Sequence, residues 1–363
     1  MALHRRSRAR FGRALGVAVT ALVLLAAGCG GGEKDATSST SASTTSTTSP
    51  VEASAACTGG ATQAPVERVD VTVDGAPRTA LAHVPATSTG TEPLPVVLSF
   101  HGAGATAAIQ QATDGLTAKS DEEGFVVVHP EGLVVDASDQ VTGMTGWDVD
   151  GNQVDEPAFV AALLDELGAR VCIDPSRVYA TGFSAGGYLA LALPCAPPGT
   201  IAAVAPVGGG YQSSDCDSDL ATPVIAFHGL DDTLAPPDGR GEQAVVQVPL
   251  LDVFEAQATR NGCTGGPDTT QVTPTVQSLT WTGCETPTVL YQLQEHGHAW
   301  PGHPLPFPKS DVENNLRGSA TQPPNSLMVA LGLTPETMAE NLLLTNIDID
   351  ATELMWDFFT QSQ

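Results

Sequence analysis

The segment Gly182-Phe183-Ser184-Ala185-Gly186-Gly187 constrains the fold of this chain more than any other feature. It follows a strand-like stretch, residues 177–181, and opens an apolar stretch of helical character that reaches about Leu193. A serine on a sharp turn between a strand and a helix requires small residues two positions before and after it, because the backbone there is strained and crowded. Gly182 and Gly186 meet this requirement. The context predicts a nucleophile elbow, with a glycine-rich turn and an incidental exposed serine as the alternative.

Strand and helix signals alternate along the chain from about Val66. Helical spacing and end signals predict helices over residues 155–170, 249–261 and 350–359, with N-cap residues Asp155 and Asp350 and a C-terminal stop at Gly262. The order predicts an α/β fold with a mostly parallel central sheet and helices on both faces. After an N-terminal hairpin, the predicted strands span residues 95–100, 125–129, 177–181, 201–207, 223–228, 276–281 and 289–293.

Acidic residues and histidines follow two of the later predicted strands. A serine hydroxyl is a poor nucleophile unless a base takes its proton and a third group orients that base. Asp231 and Asp232 follow one strand, and His296 and His298 follow the last one. The chain order of serine, acid and histidine is the order found in α/β hydrolases. One residue of each pair is therefore expected to form a triad with Ser184.

Two backbone amides are candidates for stabilising a developing oxyanion. The amide of Ala185 opens the helix after the serine, and helix N-terminal amides favour negative charge. The amide of Ala103 lies in the loop after predicted strand 95–100. We interpret His101, in the same loop, and His228 as structural histidines.

Two tryptophans are candidates for the substrate pocket. Trp300 lies two residues beyond His298, and Trp147 lies in a glycine-rich loop over residues 142–151. Both are predicted to line the pocket, with a purely structural role as the alternative.

Several motifs occur together in this chain: Thr181-Gly-Phe-Ser-Ala-Gly-Gly187, His228-Gly-Leu-Asp-Asp232 and His298-Ala-Trp-Pro-Gly302, with residues 172–179 before them and residues 349–359 at the end. Over about residues 57–359, the chain resembles the secreted polyhydroxybutyrate depolymerase and feruloyl esterase family. The resemblance implies an α/β hydrolase that cleaves ester bonds without a metal or organic cofactor. It also implies the nucleophile at Ser184, the acid at Asp232 and the base at His298.

Three departures from the family's pattern bear on these assignments. Ala103-Gly104-Ala105 stand where the family usually has a Cys or Gly followed by Gln, and Ala185 stands where it often has Asn. Glu295-His296-Gly297-His298 stands where the family has three glycines and a histidine, which makes His296 a rival base. The first two departures concern substrate preference more than catalysis.

The acidic composition narrows the classes of partner. The chain has 15 Lys and Arg against 41 Asp and Glu, a formal net charge of −26. Nucleic acid and anionic lipid are both bound through basic surfaces, so neither is expected to bind the folded surface. The expected partner is a neutral ester polymer or oligomer: a hydroxyalkanoate, or a feruloyl or acetyl polysaccharide ester.

Other functions stay open at this level. A serine peptidase or an acyltransferase can be built on the same fold and triad. A non-catalytic surface lipoprotein that only binds glycan or polymer is a further alternative, although the serine, acid and histidine in this order argue against it.

The N-terminus predicts export. Five arginines precede the apolar run of residues 15–27, which is too short to span a bilayer and has the length of a signal-peptide core. The sequence Leu25-Ala26-Ala27-Gly28-Cys29 resembles a bacterial lipobox, so we predict a signal peptide over residues 1–28 and lipidation of Cys29. An ordinary secretory signal with an incidental Cys29 is the alternative. On the lipoprotein interpretation, the membrane is contacted only through the lipid anchor.

A tether and a catalytic domain follow. Between Thr37 and Ser49, 12 of 13 residues are Ser or Thr, which favours disorder. We therefore assign residues 29–56 to a tether and residues 57–363 to the α/β-hydrolase domain.

Six cysteines remain in that domain, and an even number in an exported protein predicts three disulfides. Local spacing favours Cys263–Cys284 first. Cys195–Cys216 comes next, which leaves Cys57–Cys172. No pair has CxxC spacing, so neither zinc binding nor redox catalysis is expected.

Overall fold

The computed structural model describes residues 55–58, 66–135, 144–149, 151, 153–195, 200–210, 221–239, 248–318, 328–329 and 332–362. The predicted signal peptide, Cys29 and Cys216 lie outside these residues, as does most of the predicted tether. Ala55–Thr58 forms a 3₁₀-helix, so regular structure is present two residues before the predicted start of the domain. No described helix is both long enough and apolar enough to cross a membrane.

Nine of the twelve described strands lie within a few residues of a predicted strand. The other three, β5, β6 and β10, were not predicted. The strands are β1 Arg68–Val73, β2 Ala76–His83, β3 Leu94–Phe100, β4 Val126–Pro130, β5 Leu133–Val135, β6 Met144–Gly146, β7 Ile173–Phe183, β8 Ala203–Val207, β9 Val224–Gly229, β10 Gly265–Thr273, β11 Val276–Thr282 and β12 Thr288–Leu293.

Two of the predicted helices begin at the expected N-cap residues. Asp155 accepts a hydrogen bond from the amide of Ala158 at 2.9 Å, and Asp350 accepts from the amides of Thr352 and Glu353. The helices are α1 Ala107–Thr113, α2 Leu116–Glu123, α3 Glu156–Arg170, α4 Ala185–Ala192, α5 Leu250–Arg260, α6 Lys309–Arg317, α7 Pro335–Leu343 and α8 Ala351–Gln361.

One mixed sheet organises the domain. Its strand order is β1-β2-β4-β3-β7-β8-β9-β12-β11-β10. The strands from β4 to β12 in this order are parallel, whereas β1 and β2 at one edge and β11 and β10 at the other are antiparallel. The predicted α/β fold with a parallel centre is confirmed, and the antiparallel edges make the whole sheet mixed.

Helices cover both faces of the sheet because the central strands are apolar on both sides. Val96 and Leu98 of β3 belong to a core cluster with buried residues of α3, α4 and α5. Val97, between them, belongs to the opposite cluster, which includes residues of α2 and α8. There Tyr179 of β7 stacks on Phe359 of α8 with ring centroids 4.6 Å apart.

A small cap forms from α6 and α7, which lie in the chain between β12 and α8. These helices contribute to a separate apolar cluster with Leu316, Met338 and Ala339 at its centre. Leu234, from the loop after β9, belongs to the same cluster. The cap therefore packs against a loop at the carboxyl ends of the parallel strands, where α/β folds place their ligands.

Two of the predicted disulfides lie within the described residues. Cys57 is bonded to Cys172 and Cys263 to Cys284. Cys195 is also disulfide-bonded, and its predicted partner Cys216 lies outside the described residues.

Removal of the Cys263–Cys284 bridge is expected to destabilise the domain. The bridge joins residues 21 apart and ties the end of α5 to the turn between β11 and β12. In the chain-entropy model, closing a loop of this length stabilises by about 3 kcal/mol. The Cys263→Ser/Cys284→Ser variant should melt several degrees lower by circular dichroism, and an unchanged melting temperature would contradict this. Free thiols at both positions in natively exported protein would contradict the pairing itself.

Candidate active site

Ser184 occupies a strained turn between β7 and α4. Its backbone has φ 53° and ψ −117°, a left-handed conformation that residues other than glycine rarely adopt. The amide of Ser184 donates to the carbonyl of Val207 at 2.8 Å, which anchors the turn to the neighbouring strand β8. The turn holds the serine at the edge of the sheet where the parallel strands end.

The flanking glycines allow this turn to exist. A Cβ atom at Gly182 would lie 2.5 Å from the carbonyl carbon of Gly186, and a Cβ atom at Gly186 would clash with the carbonyl oxygen of Phe100. Backbone from β3, β7 and α4 therefore meets at van der Waals distance. The spacing of the glycines in the sequence follows from this contact.

Two buried side chains, those of His298 and Asp232, are hydrogen-bonded at the end of the sheet where Ser184 lies. The Nδ1 atom of His298, after β12, donates to Oδ2 of Asp232, after β9, at 2.6 Å. The Oδ1 atom of Asp232 accepts from the amides of Leu234 and Ala235, both at 2.8 Å. Burial raises the pKa of Asp232, but the charge and hydrogen bond of His298 outweigh it, and the pKa is lowered overall. Asp232 is thus held as a carboxylate.

Asp231 and His296 are engaged elsewhere. Asp231 accepts from the amide of Glu295 at 2.9 Å and braces the loop that carries the histidines. His296 donates from Nε2 to the carbonyl of Ala299 at 3.0 Å, and its Nδ1 accepts from the amide of Asn346 at 2.9 Å. Burial lowers the pKa of His296 to about 4, which keeps it neutral at neutral pH. His298, and not His296, holds the hydrogen bond to Asp232.

The loop after β3 lies directly against the serine. A Cβ atom at Gly102 would lie 3.4 Å from Cβ of Ser184. Within the described part of the chain, the amides of Ala103 and Ala185 donate no hydrogen bond. Ala103 lines the same cavity as Ser184, and both amides stay predicted oxyanion donors.

The two histidines interpreted as structural make backbone contacts. His101 donates from Nδ1 to the carbonyl of Gly102 at 2.8 Å, and its Nε2 accepts from the amide of Gly132 at 2.9 Å. His228 donates from Nε2 to the carbonyl of Ala235 at 2.8 Å, close beneath Asp232. Burial lowers the pKa of both His101 and His228, which favours their neutral forms. Both side chains stabilise loops at the site through hydrogen bonds to the backbone.

The structure corrects the prediction for Trp147. Its side chain is buried beneath the loop after β3, where it packs edge-on against Phe100 and donates from Nε1 to the carbonyl of His101 at 2.7 Å. Trp147 braces this loop from behind and does not line the cavity at Ser184. Sequence position within a loop does not reveal on which side of it a side chain lies.

A cavity of about 330 Å³ contains Ser184 and His298 in its wall. Trp300 lines it, as predicted, and is anchored by a hydrogen bond from Nε1 to Oγ1 of Thr352 at 3.0 Å. The walls are mostly apolar, and many of them come from the cap and the loop before it, which the sequence did not predict. These wall residues are Leu305, Phe307, Val312, Leu316, Met338 and Leu342.

The described residues contain no group of three or more His, Cys, Asp or Glu side chains arranged to hold a metal ion. The polar groups at the site are instead arranged around a serine. A strained serine after a central strand, followed by an acid and a histidine on later strands of a mainly parallel sheet, defines an α/β hydrolase.

Comparisons with known proteins agree with this class. Residues 81–245 match the model of the Dienelactone hydrolase family. The match includes Ser184 and Asp232 and ends before His298.

Three relatives support the resemblance stated from the motifs. The chain is 32% identical over 150 residues to a bifunctional acetylxylan esterase/xylanase of Neocallimastix patriciarum, covering 41% of this chain and 21% of that protein. It is 28% identical over 208 residues to feruloyl esterase B of Piromyces equi, covering 52% and 37%. It is 33% identical over 155 residues to poly(3-hydroxyalkanoate) depolymerase C of Paucimonas lemoignei, covering 42% and 36%. The aligned segments thus span about a fifth to over a third of these relatives, and the predicted resemblance is confirmed.

The adjacent acids provide a matched pair of variants. Asp232→Asn should lower kcat for ester hydrolysis about 10³- to 10⁴-fold, because the amide no longer orients His298 or stabilises its charged form. Asp231→Asn should keep kcat within about threefold of the parent, because among the described residues that side chain hydrogen-bonds only to the Glu295 amide. Steady-state kinetics on one ester decide between them, and the reverse pattern would move the acid to Asp231.

Proposed function

We propose that this protein is a serine esterase that hydrolyses carboxylic esters through an acyl-enzyme. The observation that carries the proposal is the 2.6 Å hydrogen bond between His298 and Asp232, with His298 and Ser184 in the wall of one cavity. The proposed nucleophile is Ser184, the proposed base is His298 and the proposed acid is Asp232.

The geometry supports the following mechanism. With Nδ1 of His298 donating to Asp232, Nε2 is free to take the proton of Ser184 as its Oγ attacks the ester carbonyl. The amides of Ala103 and Ala185 donate to the oxyanion of the tetrahedral intermediate. His298 then returns the proton to the departing alcohol. Water, activated by the same histidine, hydrolyses the acyl-enzyme.

The cavity favours neutral substrates. Its wall is largely apolar, and Asp311 of α6 adds a negatively charged side chain. Asp311 forms no salt bridge with a described residue, because the cations of α6 are engaged elsewhere: Lys309 pairs with Glu340 and Arg317 with Glu336. An anionic substrate would meet an unneutralised carboxylate. We therefore propose neutral hydroxyalkanoate oligomers or polymers, or feruloyl and acetyl esters of polysaccharides, the compounds for which the relatives are named.

The strained serine argues against a purely binding function. A non-glycine residue with φ 53° destabilises the fold. A nucleophile elbow requires this strained conformation, whereas a binding surface does not. A glycan- or polymer-binding lipoprotein without activity is therefore the weaker alternative. A serine peptidase would use the same triad, and peptide substrates in the test below address it.

We also propose that residues 57–363 act outside the cell, held by a lipid on Cys29 and the tether of residues 29–56. The disulfides Cys57–Cys172 and Cys263–Cys284 support an oxidising compartment. The signal-like N-terminus and the small residues before Cys29 support lipidation.

A substrate panel on the purified domain tests the proposed function. The panel contains short-chain p-nitrophenyl esters, methyl ferulate, hydroxybutyrate oligomers, acetylated xylan and a set of peptides. The parent protein should cleave esters and bind a fluorophosphonate at Ser184. Ser184→Ala should lose several orders of magnitude in kcat and all labelling, with little change in melting temperature, because the turn already holds a small side chain.

Ser176→Ala is a suitable control for this experiment. Ser176 is an exposed serine near the start of the same strand, β7, and within the described residues its hydroxyl hydrogen-bonds only to Asp174. Its substitution should leave both turnover and labelling unchanged. Ester turnover that survives in Ser184→Ala would refute the proposed nucleophile, and cleavage of peptides but not of unactivated esters would favour a peptidase.

The lipid anchor has its own test. In the native host, Cys29→Ser should abolish incorporation of labelled fatty acid and release the protein from the membrane fraction. Membrane retention of Cys29→Ser with its signal peptide cleaved would contradict the lipoprotein proposal without affecting the esterase proposal.

A further inference from the structure

Asn341, on the cap helix α7, contacts both loops of the proposed triad. Its Nδ2 donates to the carbonyl of Asp231 at 2.9 Å, and its Oδ1 accepts from the amide of Thr233 at 3.2 Å. These two residues flank Asp232 in the chain. The backbone carbonyl of Asn341 accepts from the amide of His298 at 3.0 Å. One residue thus holds the acid loop with its side chain and the base loop with its backbone.

The base loop is fitted closely to this residue. A Cβ atom at Gly297 would collide with the carbonyl oxygen of Asn341 and lie 2.9 Å from its Nδ2 atom. The amide of Gly297 also donates to the carbonyl of Leu344, just beyond α7, at 2.8 Å. Asn341 is 7% exposed, so water competes little for its hydrogen bonds.

We propose that Asn341 is a positioning residue that fixes the acid loop relative to the base loop and so maintains the Asp232–His298 hydrogen bond. This rests on the proposed function of that pair. The pairing of β9 with β12 and the contact between Asp231 and Glu295 bring the two loops together, and Asn341 adds hydrogen bonds on both sides of Asp232. Small displacements of a catalytic pair reduce rate strongly. Because Met338 and Leu342 of the same helix line the cavity, Asn341 also ties the cavity wall to the triad.

A second buried asparagine provides a matched control. Asn261 joins the same two parts of the sheet at their opposite ends: its Nδ2 donates to the carbonyl of Thr222, before β9, and to Oγ1 of Thr288, at the start of β12, both at 2.8 Å. Its Oδ1 accepts from the amide of Thr222 at 3.0 Å. Both asparagines therefore link the chain around β9 to the chain around β12 through hydrogen bonds, but only Asn341 lies beside the proposed triad.

The experiment compares Asn341→Leu with Asn261→Leu in the full domain. Both variants should lower the melting temperature, because each leaves buried backbone groups without partners. Only Asn341→Leu should lower kcat, by about 10- to 100-fold, with KM for a short-chain ester within about twofold of the parent. The rate of fluorophosphonate labelling at Ser184 should fall in parallel.

A spectroscopic readout separates positioning from general stability. The proton between His298 and Asp232 should give a low-field ¹H NMR signal in the parent and in Asn261→Leu. In Asn341→Leu this signal should shift or broaden. If a leucine variant does not fold, Asn341→Asp and Asn261→Asp replace the pair. The carboxylate introduced by Asn341→Asp keeps an acceptor for the Thr233 amide but loses the donor to the Asp231 carbonyl, so an intermediate loss of kcat is expected.

The outcomes are distinct. An unchanged kcat and an unchanged low-field signal in the Asn341 variant would overturn the proposal, as would equal losses of kcat in both asparagine variants. If the parent cleaves no ester, the proposed function fails, while the low-field signal and the labelling rate still decide whether Asn341 positions the pair.

Discussion

A carboxylate removed from water is stable only if its oxygens find donors, and Asp232 finds them on two different loops. The residue is 2% exposed, with one carboxylate oxygen on two backbone amides of its own loop and the other on His298. Loss of a partner from a buried charge costs several kcal/mol. The fold must therefore place the loop after β12 against the loop after β9, and much of the architecture follows from this requirement.

The parallel pairing of β9 and β12 brings these two loops together directly. Leu293 pairs with Gly229, so both strands end at the same level of the sheet. The adjacent strands β3, β7 and β8 end at the same edge, with the loop of Ala103 after β3 and Ser184 after β7. Parallel strands place the loops after their carboxyl ends on one side of the sheet, which is why residues more than 190 positions apart, from Ala103 to His298, surround one cavity.

The parts of the site that could be predicted are those whose residues are determined by contacts or patterns close by in the sequence. The glycines around Ser184 are required by contacts within one turn, and the acid and histidine follow strands that the apolar pattern already reveals. The parts that were not predictable depend on tertiary contacts. β10 is exposed on both faces, so it lacks the alternation that marks a strand, and α6 is a mostly polar helix whose few apolar residues face the cavity. Trp147 and Asn341 acquire their roles only from the loops that fold against them.

The two cap helices are held by different contacts. α7 is fixed to the loops after β9 and β12 by buried hydrogen bonds of Asn341. α6 packs against α7 and Leu234 through the apolar cluster around Leu316, and its ion pairs through Lys309 and Arg317 are largely exposed and therefore weak. Displacing α7 would break hydrogen bonds to both loops, whereas displacing α6 would expose the apolar cluster that includes Leu234. Ile109 and Phe307, both more than 40% exposed, lie in the cavity wall and mark its open side. We therefore expect substrate to enter past Ile109 and Phe307, because this path leaves the contacts of both cap helices in place.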